Sequence, residues 1–337
     1  MSVRVAILGT GVMGADHARI MATEVPGAVL QLVCDASEQR ARRVAATCGI
    51  TDVMTDPFSA ILRQDVDAVL IASPDQTHVE LTLAAIAAGK PVLCEKPLAT
   101  AAVDCLRVIE AETRAGRRFV QLGFMRRFDP AYAAMKAALE EGLIGRAIMM
   151  HNFHRNVEAP SGFMGPMAIT NAAPHEFDAA RFVLGTEYAA ITVFQPTGID
   201  VTRAGAPVFI VLETTDGQIV NIEVNNNAAY GYDVRGELVG TAGAVHLEAP
   251  VHLRLDAGLQ SIRRYPPDWR PRFSDAYRLQ NKAWVDAVRS GTPSPLAATA
   301  WDGYCAALVA ETGVRALSEG RRITLEMAEK PCFYMLK

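Results

Sequence analysis

The chain is short of the features that mark a specialised environment. No apolar run approaches the roughly 20 residues that a helical membrane span requires, so no bilayer segment is expected. Neither sign of charge dominates. The chain has 33 Lys and Arg against 37 Asp and Glu, a formal net charge of −4, which leaves no basic field for nucleic acid and no reason to expect a polyanionic partner. The six cysteines, Cys34, Cys48, Cys94, Cys105, Cys305 and Cys332, form no CxxC pair and sit mostly in apolar company. They are expected to be free buried thiols in a reducing cytoplasm. The opening MSVRVAILGTG lacks the charged start, apolar middle and small-residue cleavage site of a secretory signal. Repeats and low-complexity linkers are missing as well. These absences leave the expectation of a soluble cytoplasmic protein that handles small molecules.

What is present is globular. Half of the residues are apolar and 21% are charged, and 337 residues suit two domains better than one core. Up to residue 123 the pattern alternates. VRVAIL (3–8), AVLQLVCD (28–35), DAVLIAS (67–73), PVLCE and RFVQLG (118–123) read as buried strands. Helices are expected at about 13–23, 37–48, 77–89 and 100–116, with Gly89 closing the third and Thr100 available to cap the fourth. Such alternation implies a doubly wound parallel sheet flanked by helices. After Gly123 the texture changes. Helices at 130–142 and about 172–184 accompany a strand at 146–156 and several alternating segments, including VHLRLDAG, with a tight hairpin at TTDGQ and a glycine turn at GTAGA. Two late helices, about 276–289 and 299–319, end the chain. The expected fold is α/β: an N-terminal Rossmann domain over 1–123 that binds the cofactor, then an α+β domain over 124–337 with an open, mostly antiparallel sheet for substrate binding and oligomerisation.

GTGVMG (9–14) fits the pattern G-x-G-x-x-G, follows a buried strand and opens a helix. Gly9 allows the tight turn, Gly11 the approach of a pyrophosphate, and Gly14 close packing of helix on strand; Val12 and Met13 complete the loop. Asp35 closes the second strand about 20 residues further on, where a carboxylate can bind the adenosine ribose and repel a 2′-phosphate, so NAD is expected rather than NADP. Plain helix capping is the competing reading of Asp35. Arg40, Arg42 and Arg43 weaken the preference, although their positions suggest a solvated helix face.

A doubly wound sheet binds ligands at the carboxyl ends of its strands. SPDQTH (73–78) and EKPLAT (95–100) both lie at such ends, which places Ser73, Pro74, His78, Glu95 and Lys96 on the cofactor side, with Lys96 beside the nicotinamide. Pro97 fixes the turn and is a site for unusual peptide geometry. From spacing alone a solvated turn lysine explains Lys96 equally well.

In this order and spacing, GTGVMG, SPDQTH and EKPLAT resemble the glucose–fructose oxidoreductase/inositol dehydrogenase (Gfo/Idh/MocA) family. The similarity continues through GFMRRFDPAY (123–132), HRN (154–156), PHEFDAARFVLG (174–185) and YGYDVRGELVG (230–240), and covers essentially the whole chain. Those last four stretches look like the inositol 2-dehydrogenases within the family. The resemblance implies a Rossmann domain joined to an open-faced sheet domain, assembled as a homotetramer or homodimer. It implies NAD-linked oxidation of a ring secondary alcohol, such as that of myo- or scyllo-inositol to an inosose.

Oxidising such an alcohol removes a hydride from carbon and a proton from oxygen. The cofactor takes the first, and the protein must handle the second together with the developing oxyanion. His175 is the expected base and Lys96 the positive charge. Asp178, three residues beyond His175 on the same helical face, could orient the imidazole or bind a substrate hydroxyl. Where the family usually carries an aspartate four residues before this histidine, the chain has Asn171, which can hydrogen-bond but cannot accept a proton. Asn171 is therefore expected to position the reacting hydroxyl, and the substitution leaves a pyranose sugar open as the alternative substrate. By resemblance Arg127, Asn156 and Tyr232 line the polyol pocket, although a surface ion-pair cluster also explains Arg126 and Arg127. Asp275 and Tyr277 are weaker candidates. His151 and His154 fall on opposite faces of a strand with no acid or thiol cluster nearby, so no metal is expected. A non-catalytic NAD-binding sensor is the alternative from a different class.

Overall fold

In a computed structural model, residues 2–160, 162–163, 165–198, 205–248 and 254–335 are described. The chain forms two compact units. One comprises Met1–Phe128, Asp275–Ala307 and Ala328–Lys337, the other Asp129–Ser274 and Leu308–Met327.

In the first unit, six parallel strands lie in the order β3-β2-β1-β4-β5-β6. They are β1 (Val3–Leu8), β2 (Ala28–Cys34), β3 (Val53–Met54), β4 (Ala68–Ile71), β5 (Val92–Cys94) and β6 (Val120–Leu122). Helices α1 (Val12–Thr23), α2 (Glu38–Thr47), α3 (Pro57–Leu62), α4 (His78–Ala87) and α5 (Ala102–Ala115) connect them. Every residue of β4 and β5 is buried, as continuous apolar runs require when both faces of a sheet are covered. Strand order reverses between β1 and β4, so the ends of these two strands mark the topological switch point. Local signals set the helix ends. Ser37 accepts from the Arg40 N–H at the start of α2, Asp56 caps α3 with Pro57 in the first turn, and Gly116 ends α5 at φ +63°.

The second unit carries a seven-stranded sheet in the order β12-β11-β7-β10-β9-β8-β15. Its strands are β7 (Ala147–Arg155), β8 (Tyr188–Phe194), β9 (Val208–Thr214), β10 (Ile219–Asn225), β11 (Asp233–Gly240), β12 (Ala244–Leu247) and β15 (Ile323–Thr324); β13 (Arg254–Ala257) and β14 (Gln260–Arg263) form a separate hairpin. Among the described strands of this unit only β7 and β10 pair in parallel. Burial alternates along β9 and β10, so one face is a core of Val208, Ile210, Leu212, Val220, Ile222 and Val224. The other face leaves Met149, Phe194, Phe209 and Ile219 exposed. Helices α6 (Pro130–Glu140) and α7 (Pro174–Leu184) belong to this unit, while α8 (Trp269–Ser290) and α9 (Ala300–Glu319) contribute to both units.

Several elements differ from expectation. β3 and α3 were not foreseen, because six-residue helices and two-residue strands carry too little periodicity. Thr100 caps nothing; α5 begins after Ala101, with no side-chain cap. α8 starts at Trp269 rather than 276, with non-helical geometry at Phe273. The segment 251–258 lies partly outside the described residues, and its remainder pairs in the small hairpin. The boundary expected at Gly123 falls at 128, and 275–307 and 328–337 join the first unit. Cys48 is half-buried and Cys332 exposed, while the other four thiols are buried. Among the described residues no helix is long and apolar enough to cross a membrane.

Candidate active site

The glycine loop after β1 divides its glycines by role. A Cβ on Gly9 (φ +96°) would lie 2.4 Å from the Ala72 carbonyl oxygen, and one on Gly14 would lie 1.9 Å from the Gly9 carbonyl oxygen. A Cβ on Gly11 would meet nothing within 4 Å. The first two are glycines because the chain folds tightly on itself, whereas Gly11 faces open space. Gly11 is also the N-cap of α1 and offers no side chain to the first-turn N–H groups, which Val12 and Met13 begin. Uncapped donors beside open space suit a pyrophosphate, so the loop fits NAD.

Asp35, at the end of β2, is bound on all sides. Its Oδ2 accepts from the Thr10 N–H and hydroxyl (both 2.8 Å), and its Oδ1 accepts from the Ser37 N–H (2.8 Å) and Arg40 Nη2 (2.7 Å). Burial works against its charge, but Arg40, Ser37 and Thr10 together hold the carboxyl down at about 2. Ser37, not Asp35, caps α2. Arg40, expected on a solvated face, folds back onto the carboxylate.

Strand β5 delivers Glu95 and Lys96 to its carboxyl end, followed by a cis Lys96–Pro97 peptide. The buried Glu95 accepts from His17 Nε2 (2.8 Å) through Oε1 and from the Lys96 N–H (3.2 Å) through Oε2. Its side chain is thus committed to the protein rather than to a cofactor. Burial pushes the Lys96 ammonium below its usual range; Glu95 and then Asp75 pull it back up, and Arg126 pushes it further down. Arg126 and Arg127 are both buried, which rules out the surface-cluster reading. Their surroundings differ. Arg127 Nη2 lies 2.9 Å from Asp302 Oδ1, whereas Arg126, 1% exposed, is the cation whose field reaches Lys96. Of the SPDQTH segment, Ser73 is half-buried and Pro74 exposed, while His78 is buried with both ring nitrogens against main-chain carbonyls.

In the second unit, a π-helical turn over Ala168–Ala172 carries the half-buried Asn171 and runs into α7, whose first turn holds Pro174 and the half-buried His175. Such π-turns recur at functional sites. Asn171 precedes His175 by about one turn, and Asp178 is buried further along the same helix. The hub of this region is His154 on β7. Its Nδ1 lies 3.0 Å from Oε1 of the buried Glu176, next to His175; Asn156 Nδ2 lies 3.4 Å from its Nε2; the Tyr232 ring stands edge-on to it at 6.3 Å. Asn156, Tyr232 and the start of α7 thus converge on one imidazole. Asp275 pairs with Arg278, and Tyr277 packs edge-on against His17 at 5.7 Å. Among the described residues no cluster of His, Cys, Asp and Glu could hold a metal.

His17, Arg126, His154 and Glu176 were missed. His17 follows the glycine loop on the buried side of α1, and that spacing was its available signal. Arg126 had none, because neighbours in a 3₁₀ turn are equivalent in sequence.

A family model described as an oxidoreductase family with an NAD-binding Rossmann fold (GFO_IDH_MocA) matches residues 3–124, and the GFO/IDH/MocA C-terminal domain matches 132–246. Inositol 2-dehydrogenase 2 of Saccharopolyspora erythraea is 47% identical over 99% of this chain and 98% of its own. Inositol 2-dehydrogenase of Streptomyces avermitilis is 42% identical over 98% and 96%. The crystal structure of myo-inositol dehydrogenase from Lactobacillus casei in complex with NAD(H) and myo-inositol superposes with a TM-score of 0.94 at 29% identity, covering 99% of this chain and all of that one.

Proposed function

This chain belongs to the Gfo/Idh/MocA oxidoreductase family, and from that premise we propose that it oxidises one ring secondary alcohol of an inositol to the inosose. NAD, when bound, supplies the hydride acceptor. What carries the reading is the buried position of Lys96 at the carboxyl end of β5, within the fields of Glu95 and Arg126, in the unit whose glycine loop has room for a pyrophosphate.

His175 takes the hydroxyl proton as general base, and Lys96 stabilises the negative charge that develops on the oxygen. Asn171 hydrogen-bonds the reacting hydroxyl and leaves proton transfer to the other two. Asn156, Asp178 and Tyr232 supply donors and acceptors for the remaining hydroxyls. We assign the guanidinium beside Lys96 to Arg126 instead of Arg127, whose charge is matched by Asp302. Gly9, Gly11, Val12, Met13 and Gly14 hold the pyrophosphate, Asp35 the ribose, and Ser73 and Pro74 the nicotinamide side. The exposed Met149, Phe194, Phe209 and Ile219 support a homotetramer or homodimer. A cytoplasmic location completes the proposal.

Asn171 favours one second reading, a dehydrogenase of a pyranose sugar. The test is NADH formation from NAD with myo-, scyllo- and chiro-inositol, glucose, galactose and xylose. A clear preference for one inositol supports the first reading, and faster turnover of a pyranose replaces it with the second. Silence on the whole panel with NAD binding intact points to a non-catalytic sensor.

A further inference from the structure

We infer that His78 is a positioning residue: a buried imidazolium that ties the end of β4 to the loop carrying Lys96. The ring is 1% exposed. Its Nδ1 lies 2.6 Å from the Pro97 carbonyl oxygen and its Nε2 lies 2.9 Å from the Ser73 carbonyl oxygen. A carbonyl oxygen only accepts, and a neutral imidazole carries a single N–H. A neutral ring would therefore set a nitrogen lone pair against an oxygen lone pair in one of these contacts, which are too short to admit a water between. Only the doubly protonated ring satisfies both.

The surroundings agree. The side chain facing the ring from β5 is Cys94, whose thiol donates to the Glu95 carbonyl (3.3 Å); from the two loops the ring meets main chain. Burial pulls the imidazolium down, while the carbonyl oxygens of Pro97 and Ser73 favour the charged ring and hold its pKa above the ordinary histidine range.

The consequence falls on Lys96. Its own N–H is held by Glu95 Oε2, and the carbonyl of the next residue is held by His78. The lysine thus sits between two anchors, one anionic and one cationic, and the same ring fixes the end of the neighbouring strand through Ser73. β4 and β5 are paired in the sheet, so the ring bridges two strand ends that both face the switch point. Sequence alone placed His78 on the cofactor; both of its nitrogens are instead spent on the chain.

The catalytic part rests on the role proposed for Lys96, whereas the charge state does not, and two measurements separate them. First, full-length protein with NAD and ¹⁵N-labelled histidine is studied by solid-state NMR after sedimentation at a pH well above the ordinary histidine range. One histidine with both nitrogens protonated is expected, absent from His78→Gln. If that variant does not fold, persistence of the signal in each of six single variants, at His17, His151, His154, His175, His246 and His252, assigns it to His78 by elimination. An unprotonated ring nitrogen on His78 overturns the inference whatever the enzyme oxidises. Second, His78→Gln, whose amide nitrogen cannot span both carbonyls, is expected to lose about tenfold or more in kcat, since a 1 Å misplacement of a reacting group costs on the order of a hundredfold. KM and NAD affinity should move far less. An unchanged kcat, or a loss confined to NAD affinity, overturns the positioning role and leaves the proposed function standing.

Discussion

His17 and Glu95 form a buried pair, Nε2 to Oε1 at 2.8 Å, that links the helix behind the glycine loop to the residue before Lys96. Asn281 Nδ2 donates to His17 Nδ1 (3.0 Å), which makes Nε2 the nitrogen that donates to Glu95. On the other side of the carboxylate, a Cβ on Gly123 would lie 3.0 Å from its atoms. Glu95 is thus fixed from three elements, and it is the strongest charge favouring a protonated Lys96 against burial.

That arrangement predicts a pH effect. In the role proposed for it Lys96 works as a cation, so activity is expected to fall as pH rises through its pKa. Glu95→Gln removes the main attraction opposing desolvation, and the alkaline limb of kcat/KM should move to lower pH. An alkaline limb at the wild-type position would show that Lys96 does not set it.

Asp35 already accepts five hydrogen bonds, two of them from Arg40, so a ribose hydroxyl must replace one of its partners, and the exposed Arg40 is the one that can leave. Asp35→Ser should lower kcat/KM for NAD roughly tenfold or more, as expected for losing a charged acceptor. The freed Arg40 should then pair with a 2′-phosphate, raising kcat/KM for NADP. The double variant Asp35→Ser/Arg40→Ala should lose the NADP gain; retention of it would remove Arg40 from the argument.

How much of this was legible follows from how local each signal is. The parallel sheet and the glycine loop were readable because β1, β4 and β5 are uninterrupted apolar runs and GTGVMG abuts one of them. The membership of 275–307 in the first unit was not, since it rests on contacts such as Asn281 with His17 that no periodicity encodes. Lys96, Asn171 and His175 came from the family resemblance more than from spacing. The choice between Arg126 and Arg127 needed coordinates: one pairs with Asp302 and the other acts on Lys96.

Asn171 lies about one turn before His175 and can offer only a neutral hydrogen bond. Asn171→Ala should lower kcat/KM by about tenfold, the worth of one such bond. His175→Ala, which removes the proposed base, should cost about 10²–10⁴-fold in kcat. Equal losses in the two variants would mean that Asn171 does more than position. No loss in the first would remove it from the site.

The raised pKa of His78 also predicts how stability depends on pH. The folded value is about 10 against the ordinary 6.5, so folding favours the protonated ring. Its contribution is complete below about 6.5 and is lost as pH rises through about 10. Thermal unfolding should show wild type losing Tm across that window more steeply than His78→Gln. Parallel Tm curves would contradict the assignment.

Gly11 and Gly14 separate cofactor binding from folding. Gly11 has ordinary extended geometry (φ −67°, ψ −164°), and a Cβ there meets no atom within 4 Å. Gly11→Ala should therefore keep the wild-type Tm without ligand, while its methyl group fills the space a pyrophosphate needs. NAD affinity should fall at least tenfold, and NAD should no longer raise Tm as a ligand of the native state does. At Gly14 the added Cβ would lie 1.9 Å from a backbone oxygen, a clash that cannot be relieved by turning a side chain. Gly14→Ala should therefore lower Tm without ligand, because α1 must move off β1. If Gly11→Ala destabilises the protein as much as Gly14→Ala, the loop is a packing device throughout, and the case for a pyrophosphate over Gly11 fails.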